Sequence, residues 1–97
     1  MYTTEDLKSL GEYLKKVAED IASKEEENSK VDFQLLMSIV RQFEAIRYNP
    51  LLFKSILKQY VVDYALMEAP LNKIPLRIND SGIVSKTIVQ WRCSNNK

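Results

Sequence analysis

Two side chains have a type and a setting that could support chemistry: an aspartate inside an apolar stretch and a lone cysteine beside a cation. Asp63 lies in the apolar segment 50–67, where burial would raise the pKa of its carboxyl group. Cys93 follows Arg92, and a neighbouring cation is one feature that activates a thiol. A nucleophilic role of Cys93 would need a partner base, and none is evident in the sequence. We therefore interpret Asp63 as part of a polar stripe or as the acceptor of a tyrosine hydroxyl, and Cys93 as a spectator thiol.

The residue types that the chain lacks exclude several kinds of catalytic and metal site, although pairs of carboxylates remain formally possible. It contains no histidine, one cysteine, and two glycines at positions 11 and 82. Histidine-based triads, zinc sites built from histidine or from several thiolates, and glycine-rich phosphate loops therefore cannot be formed. We expect a non-enzymatic protein with no catalytic residues, no metal, no cofactor and no small-molecule substrate.

Length and composition predict one small domain. The 97 residues are 45% hydrophobic and 28% charged, values typical of an ordinary globular protein. We expect a single domain over residues 1–93 and a disordered tail over 94–97. The first ten residues carry no basic segment followed by an apolar run, and a single cysteine fits a reducing compartment. We expect a cytoplasmic protein without a secretory signal and without a membrane-spanning segment.

Charge is distributed unevenly along the chain, although the net charge is only +1. Residues 1–28 hold eight acidic residues against four lysines, a net charge of −4, and the remainder holds ten basic against five acidic, a net charge of +5. Such asymmetry is found at nucleic-acid and membrane surfaces. It is also found where an acidic helix lies beside a basic element of the same chain or of a partner subunit, which we consider the more common cause.

Three helices are predicted at about 4–26, 32–48 and 50–68, with the third as the apolar centre of the fold. Thr3 and Asp6 form a short capping box for the first helix. Asp32 is the predicted cap of the second helix, while Asn49 and Pro50 mark the start of the third. The first helix carries an apolar seam with alternating spacings of three and four, typical of helix packing. The seam consists of Leu7, Leu10, Leu14, Val17 and Ile21.

The C-terminal part is predicted to form a β-hairpin with strands at about 73–79 and 83–92. Apolar residues alternate from Lys73 onward, the segment 79–82 (NDSG) is a strong turn signal, and the second strand is rich in β-branched residues. The expected fold class is therefore α+β, mainly α: a three-helix core with a C-terminal two-stranded antiparallel hairpin. The hairpin would pack on its own helices or on another chain, because an isolated hairpin is marginally stable.

The leading functional hypothesis is a small non-catalytic interaction protein: a regulator, adaptor, inhibitor or assembly subunit. The partner would be another protein or a second copy in a homodimer, bound by helix packing along the seam or by strand addition at the hairpin. The alternative interpretation of both features is that they close the core of a monomer.

The second hypothesis is a nucleic-acid-binding protein of winged-helix-like arrangement. The hairpin would contact phosphates through its cations and stack on a base through its tryptophan. The residues concerned are Lys73, Arg77, Lys86, Trp91 and Arg92. The third helix is too apolar for a recognition helix, and a pI of about 7.8 is below the basic range expected of such a domain, so this hypothesis ranks second.

Overall fold

The computed structural model describes residues 2–24, 29–60 and 82–95. These ranges contain four helices: α1 (Thr4–Ser23), α2 (Ser29–Ala45), α3 (Pro50–Leu57) and α4 (Ile83–Asn95). No strand occurs within the described ranges. The expectation of an α+β domain with a C-terminal hairpin is therefore wrong.

The start of α1 confirms the predicted capping box. The Thr3 hydroxyl accepts a hydrogen bond from the Asp6 amide at 3.1 Å, and the Asp6 carboxylate accepts one from the Thr3 amide at 2.8 Å. Two amides that the helix itself leaves without partners are thereby satisfied. The helix ends at Ser23, and the expected extension to 26 reaches residues outside the described ranges.

The second helix is displaced by about one turn from its predicted bounds. It begins at Ser29, so Asp32 lies in its first turn, where its charge complements the helix dipole, and the predicted cap at Asp32 is wrong. It ends at Ala45 instead of 48 because Arg47 and Tyr48 have φ values of 54° and 55°, in the left-handed region.

The end of α2 is closed by a Schellman motif. The Tyr48 amide donates to the Phe43 carbonyl at 2.9 Å, and the Arg47 amide donates to the Glu44 carbonyl at 2.9 Å. The motif satisfies two carbonyls of the last turn and ends the helix. The next helix then begins within a few residues.

The predicted start of α3 is confirmed, but its predicted length is wrong. The Asn49 side-chain oxygen accepts from the Leu51 amide at 2.8 Å, and Pro50 opens the helix. The helix ends at Leu57 and turns continue to Tyr60, whose hydroxyl accepts a hydrogen bond from the Gln42 side-chain amide. This bond ties the end of the α3 region to α2. The remainder of the expected helix, to 68, lies outside the described residues.

The segment predicted as the second strand of the hairpin is helix α4. Its buried side chains Val84, Ile88 and Trp91 recur at helical spacing, four and then three residues apart. The buried Thr87 hydroxyl donates to the Ile83 carbonyl at 2.6 Å, which satisfies a polar group in the core. The β-branched composition of this segment favours a strand only weakly. Burial of its apolar face against α1 and α2 stabilises a helix instead. The predicted first strand, 73–79, lies outside the described residues.

One apolar core joins the four helices. The longest helix, α1, packs mainly on α2; α4 contacts both of them, and α3 contacts α2. Within the described ranges, the large side chains at this centre are fully or almost fully shielded from solvent. They are Leu7, Leu10, Leu14, Leu36, Ile39, Val40, Phe43, Phe53, Ile56, Leu57, Val84, Ile88 and Trp91.

Candidate functional site: an apolar groove at the start of α3

The predicted partner-binding seam of α1 lies mostly inside the protein. Leu7, Leu10 and Leu14 are fully buried, whereas Val17 and Ile21 are half-buried at the edge of the core. The first three side chains are therefore covered by the chain's own helices. A role of the seam in binding a partner stays a prediction, and within this chain the seam joins α1 to the core.

Three of the five residues assigned to the hairpin fall in the described ranges, and Trp91 among them is buried. Trp91 is only 3% exposed; its indole nitrogen donates to the Ser9 hydroxyl at 3.2 Å, and its ring centroid lies 5.6 Å from that of Tyr2. A ring in this position anchors α4 in the core and is not exposed for stacking on a base. Lys86 is exposed on α4 and Arg92 is half-buried, whereas positions 73 and 77 lie outside the described residues.

The described part of the chain does not assemble a metal site or a membrane span. Among residues 2–24, 29–60 and 82–95, no group of three or more acidic, cysteine or histidine side chains could hold a metal ion. None of the four helices is both long enough and apolar enough to cross a bilayer. Cys93 is exposed on α4, and position 63 lies outside the described residues.

A shallow groove of about 450 Å³ lies where the start of α1 meets the corner between α2 and α3. One wall comes from the residues that precede and open α1, and the other comes from the chain between α2 and the first turn of α3. The lining residues are Tyr2, Thr4, Ile46, Arg47, Asn49, Pro50 and Leu51. Most of the lining is apolar or aromatic, and its one cation is Arg47.

Two leucines beside this groove are exposed to solvent. Leu51 is 80% exposed and Leu52 is 48% exposed. The cause is local: α3 is amphipathic and turns Phe53, Ile56 and Leu57 toward the core, which leaves the first two leucines on its outer side. The other large apolar side chain that is exposed in the described ranges is Val31, 65% exposed in the first turn of α2.

Exposed cations lie in the lining of the groove and along the outer side of the α3 region. Arg47, Lys54 and Lys58 are all exposed, and the sequence contains no acidic residue between Glu44 and Asp63. Lys54 and Lys58 lie one turn apart, and Lys58 follows Leu51 by seven residues, which places the lysines beside that leucine on one face. The α3 side of the groove therefore combines exposed leucine with positive charge.

Tyr2 forms the aromatic wall of the groove and connects it to the core. Its ring lies edge-on to Phe53 with centroids 6.3 Å apart, in addition to its contact with Trp91. Burial raises the pKa of the Tyr2 phenol above its ordinary value of 10.0, and the charge of Arg92 opposes this shift. The ring is therefore uncharged near neutral pH, which suits an apolar contact.

Comparison with known proteins found no matching protein family, no similar curated protein and no similar solved structure.

The groove was not among the candidate sites predicted from the sequence, because Leu51 and Leu52 were expected to be buried as part of a central helix. The amphipathic pattern of Phe53, Ile56 and Leu57 was a usable signal, since it places Leu51 on the same side as the lysines.

Proposed function

We propose that this protein is a non-catalytic interaction domain that binds a segment of another protein in the groove at the start of α3. The observation that carries the proposal is the exposure of Leu51 and Leu52 beside an apolar groove. Elsewhere in the described ranges, large apolar side chains other than Val31 are wholly or partly shielded. Exposed apolar side chains that adjoin a groove are typical of interaction sites.

The shape of the groove favours a protein segment over a small molecule. A small-molecule pocket encloses most of its ligand and directs a few convergent polar groups at it. This groove is shallow, and its polar lining consists mainly of Thr4, Arg47 and Asn49. The Asn49 side-chain oxygen already accepts from the helix amide of Leu51. A partner that inserts apolar side chains beside Leu51 fits this surface better than a polar metabolite.

The proposal is tested by selecting helical peptides from a random displayed library against the immobilised full chain. Leu51→Glu places a charge at the centre of the contact, so selected peptides should bind this variant at least about tenfold more weakly. Val31→Glu is the matched control, because it makes the same change at another exposed apolar position. Val31 is about 21 Å along the α2 axis from Ala45, the residue before the groove residue Ile46, so the control should bind normally.

Peptides that bind the Leu51→Glu variant as tightly as the native chain would place the binding surface elsewhere and contradict the proposal. Light scattering of the native chain and of Leu51→Glu completes the test. A native dimer that dissociates in the variant identifies the partner as a second copy of the chain.

A further inference from the structure

We infer that Trp91 is a positioning residue for the groove: it holds the Tyr2 ring in place as the groove wall, so the affinity for a bound segment depends on α4. The inference rests on the proposed function and names a residue that controls the same site. Trp91 does not line the groove and is only 3% exposed. Its influence on a bound segment must therefore pass through a neighbour that does line the groove.

Tyr2 is the groove residue that contacts Trp91. The two ring centroids lie 5.6 Å apart with the rings tilted by 40°. The Tyr2 ring also lies edge-on to Phe53 of α3, and the first turn of that helix contributes Leu51 to the other wall of the groove. The charge of Arg92 lowers the pKa of the Tyr2 phenol against the effect of burial. Two neighbouring residues of α4 thus act on the Tyr2 side chain.

The position of Tyr2 in the chain makes these side-chain contacts important. Tyr2 precedes Thr3, the N-cap residue of α1, and therefore lies outside the helix. Segments that flank a helix are ordered chiefly by the contacts that tie them down. A wall held by side-chain packing is preorganised only while that packing is intact, and a preorganised site binds more tightly because less order is lost on binding.

Trp91 can hold Tyr2 because its own ring is fixed. It is buried in the core, and its indole nitrogen donates to the Ser9 hydroxyl of α1 at 3.2 Å. A buried ring that also makes a directional hydrogen bond has one defined orientation. The contacts therefore run from Ser9 through Trp91 to Tyr2 and the groove.

The inference is tested by a double-mutant cycle on the affinity of a dye-labelled peptide that was selected against the full chain and is weakened by Leu51→Glu. Trp91→Phe removes the indole and should weaken binding of this peptide about three- to tenfold, the range expected for loss of one aromatic contact. In the Tyr2→Leu background the same change should weaken binding by less than about twofold, because the ring that transmits the effect is absent. Fluorescence anisotropy measures the four affinities.

Ile88→Val is the matched control. It removes one methylene from the buried face of α4 and alters neither ring, so the native affinity should be retained. Circular dichroism and urea unfolding establish that each variant is folded in the binding assay. If Trp91→Phe does not fold, Ser9→Ala takes its place in the cycle with the same pattern expected, because it removes only the hydroxyl that accepts from the indole nitrogen.

The outcomes separate this inference from the proposed function. If the change at Trp91 or Ser9 leaves the affinity unchanged, or weakens it equally with and without the Tyr2 ring, the inference is overturned alone. If Ile88→Val weakens binding as much, the cause is a general loosening of α4, and the inference is again overturned alone. If no selected peptide depends on Leu51, both proposals are overturned.

Discussion

At the scale of single residues, Gly11 and Tyr48 form a contact that explains a glycine in the middle of α1. Gly11 is buried, and a Cβ atom at this position would lie 3.1 Å from Cε1 of Tyr48 and 3.5 Å from its hydroxyl oxygen. Glycine destabilises a helix interior by about 1 kcal/mol relative to alanine. Here the missing side chain leaves room for the Tyr48 ring, which follows the end of α2. The position of that ring therefore depends on a glycine in α1.

The contact predicts that Gly11→Ala has different effects in two backgrounds. With Tyr48 replaced by alanine, the added methyl meets no ring, and the free energy of unfolding should rise by about 1 kcal/mol relative to Tyr48→Ala alone. With Tyr48 present, crowding should remove at least about 0.5 kcal/mol of that gain. Urea unfolding of the four proteins in this cycle measures the difference. Equal gains in both backgrounds would show that the ring does not limit position 11.

The raised phenol pKa values of two tyrosines predict that the fold loses stability in alkaline solution. Burial raises the pKa of Tyr2 and of Tyr48 above the ordinary value of 10.0; for Tyr48 the nearby Glu44 charge adds to the rise. The folded protein then holds these protons more tightly than the unfolded chain. The resulting stabilisation is fully present below about pH 10 and is lost as the pH rises through the folded-state pKa values.

Replacement of both phenols tests this dependence. The double variant Tyr2→Phe and Tyr48→Phe should lose less stability than the native chain between about pH 8 and about pH 11, because neither position can ionise. Chemical unfolding at several pH values across that range gives the comparison. An alkaline slope equal to that of the native chain would mean that neither phenol contributes to it.

At the scale of elements, the chain leaves α2 through two residues in the left-handed region, Arg47 and Tyr48. Arg47 has a φ of 54° at the position where a Schellman motif usually has glycine. An L-residue with a side chain is disfavoured in this conformation by about 1 to 2 kcal/mol. Arg47 also lines the groove at the start of α3.

The backbone conformation predicts that Arg47→Gly stabilises the fold by about 0.5 to 1 kcal/mol, because glycine adopts the left-handed region without steric strain. Arg41→Gly is the matched control. Arg41 is exposed inside α2, so glycine there should destabilise by about 1 kcal/mol. Thermal and urea unfolding measure both changes. Destabilisation by Arg47→Gly would contradict the strain argument.

Helix α4 shows how packing overrides local preference. The segment 83–92 is rich in β-branched residues and was predicted as the second strand of the hairpin. In the structure Val84, Ile88 and Trp91 form the buried face, and this pattern was present in the sequence beside the alternating one. Two periodicities fitted the same short segment, and only the surface available on α1 and α2 selected one of them.

At the scale of the whole molecule, Trp91 joins the C-terminal helix to the start of the chain. Its ring contacts Tyr2, its indole nitrogen donates to Ser9, and both partners belong to the α1 region. Removal of this ring would open a cavity where α4 meets α1. The stability of the fold should therefore depend strongly on a residue that the sequence suggested for surface binding.

Trp91→Ala should destabilise the protein by about 3 to 5 kcal/mol, the cost of removing a large buried aromatic side chain. Lys86→Ala, at an exposed position of the same helix, should change stability by less than about 0.5 kcal/mol. Urea unfolding followed by circular dichroism compares them. A Trp91→Ala protein as stable as the native chain would contradict the assignment of this ring to the core.

By itself the sequence determined the features that depend on residues within about one helical turn. The capping box of Thr3 and Asp6, the cap at Asn49 and the buried face of α1 could all be predicted, because their donors, acceptors and apolar spacings lie close together along the chain. Tertiary structure alone decided the helix at 83–95 and the role of Gly11. Each depends on which distant surface covers a segment: α1 and α2 cover α4, and the Tyr48 ring covers Gly11. The amphipathic pattern of α3 placed Leu51 on its outer side, and the described core leaves that side uncovered. The free energy of such burial comes from contacts between residues far apart in the sequence, so no local pattern contains it.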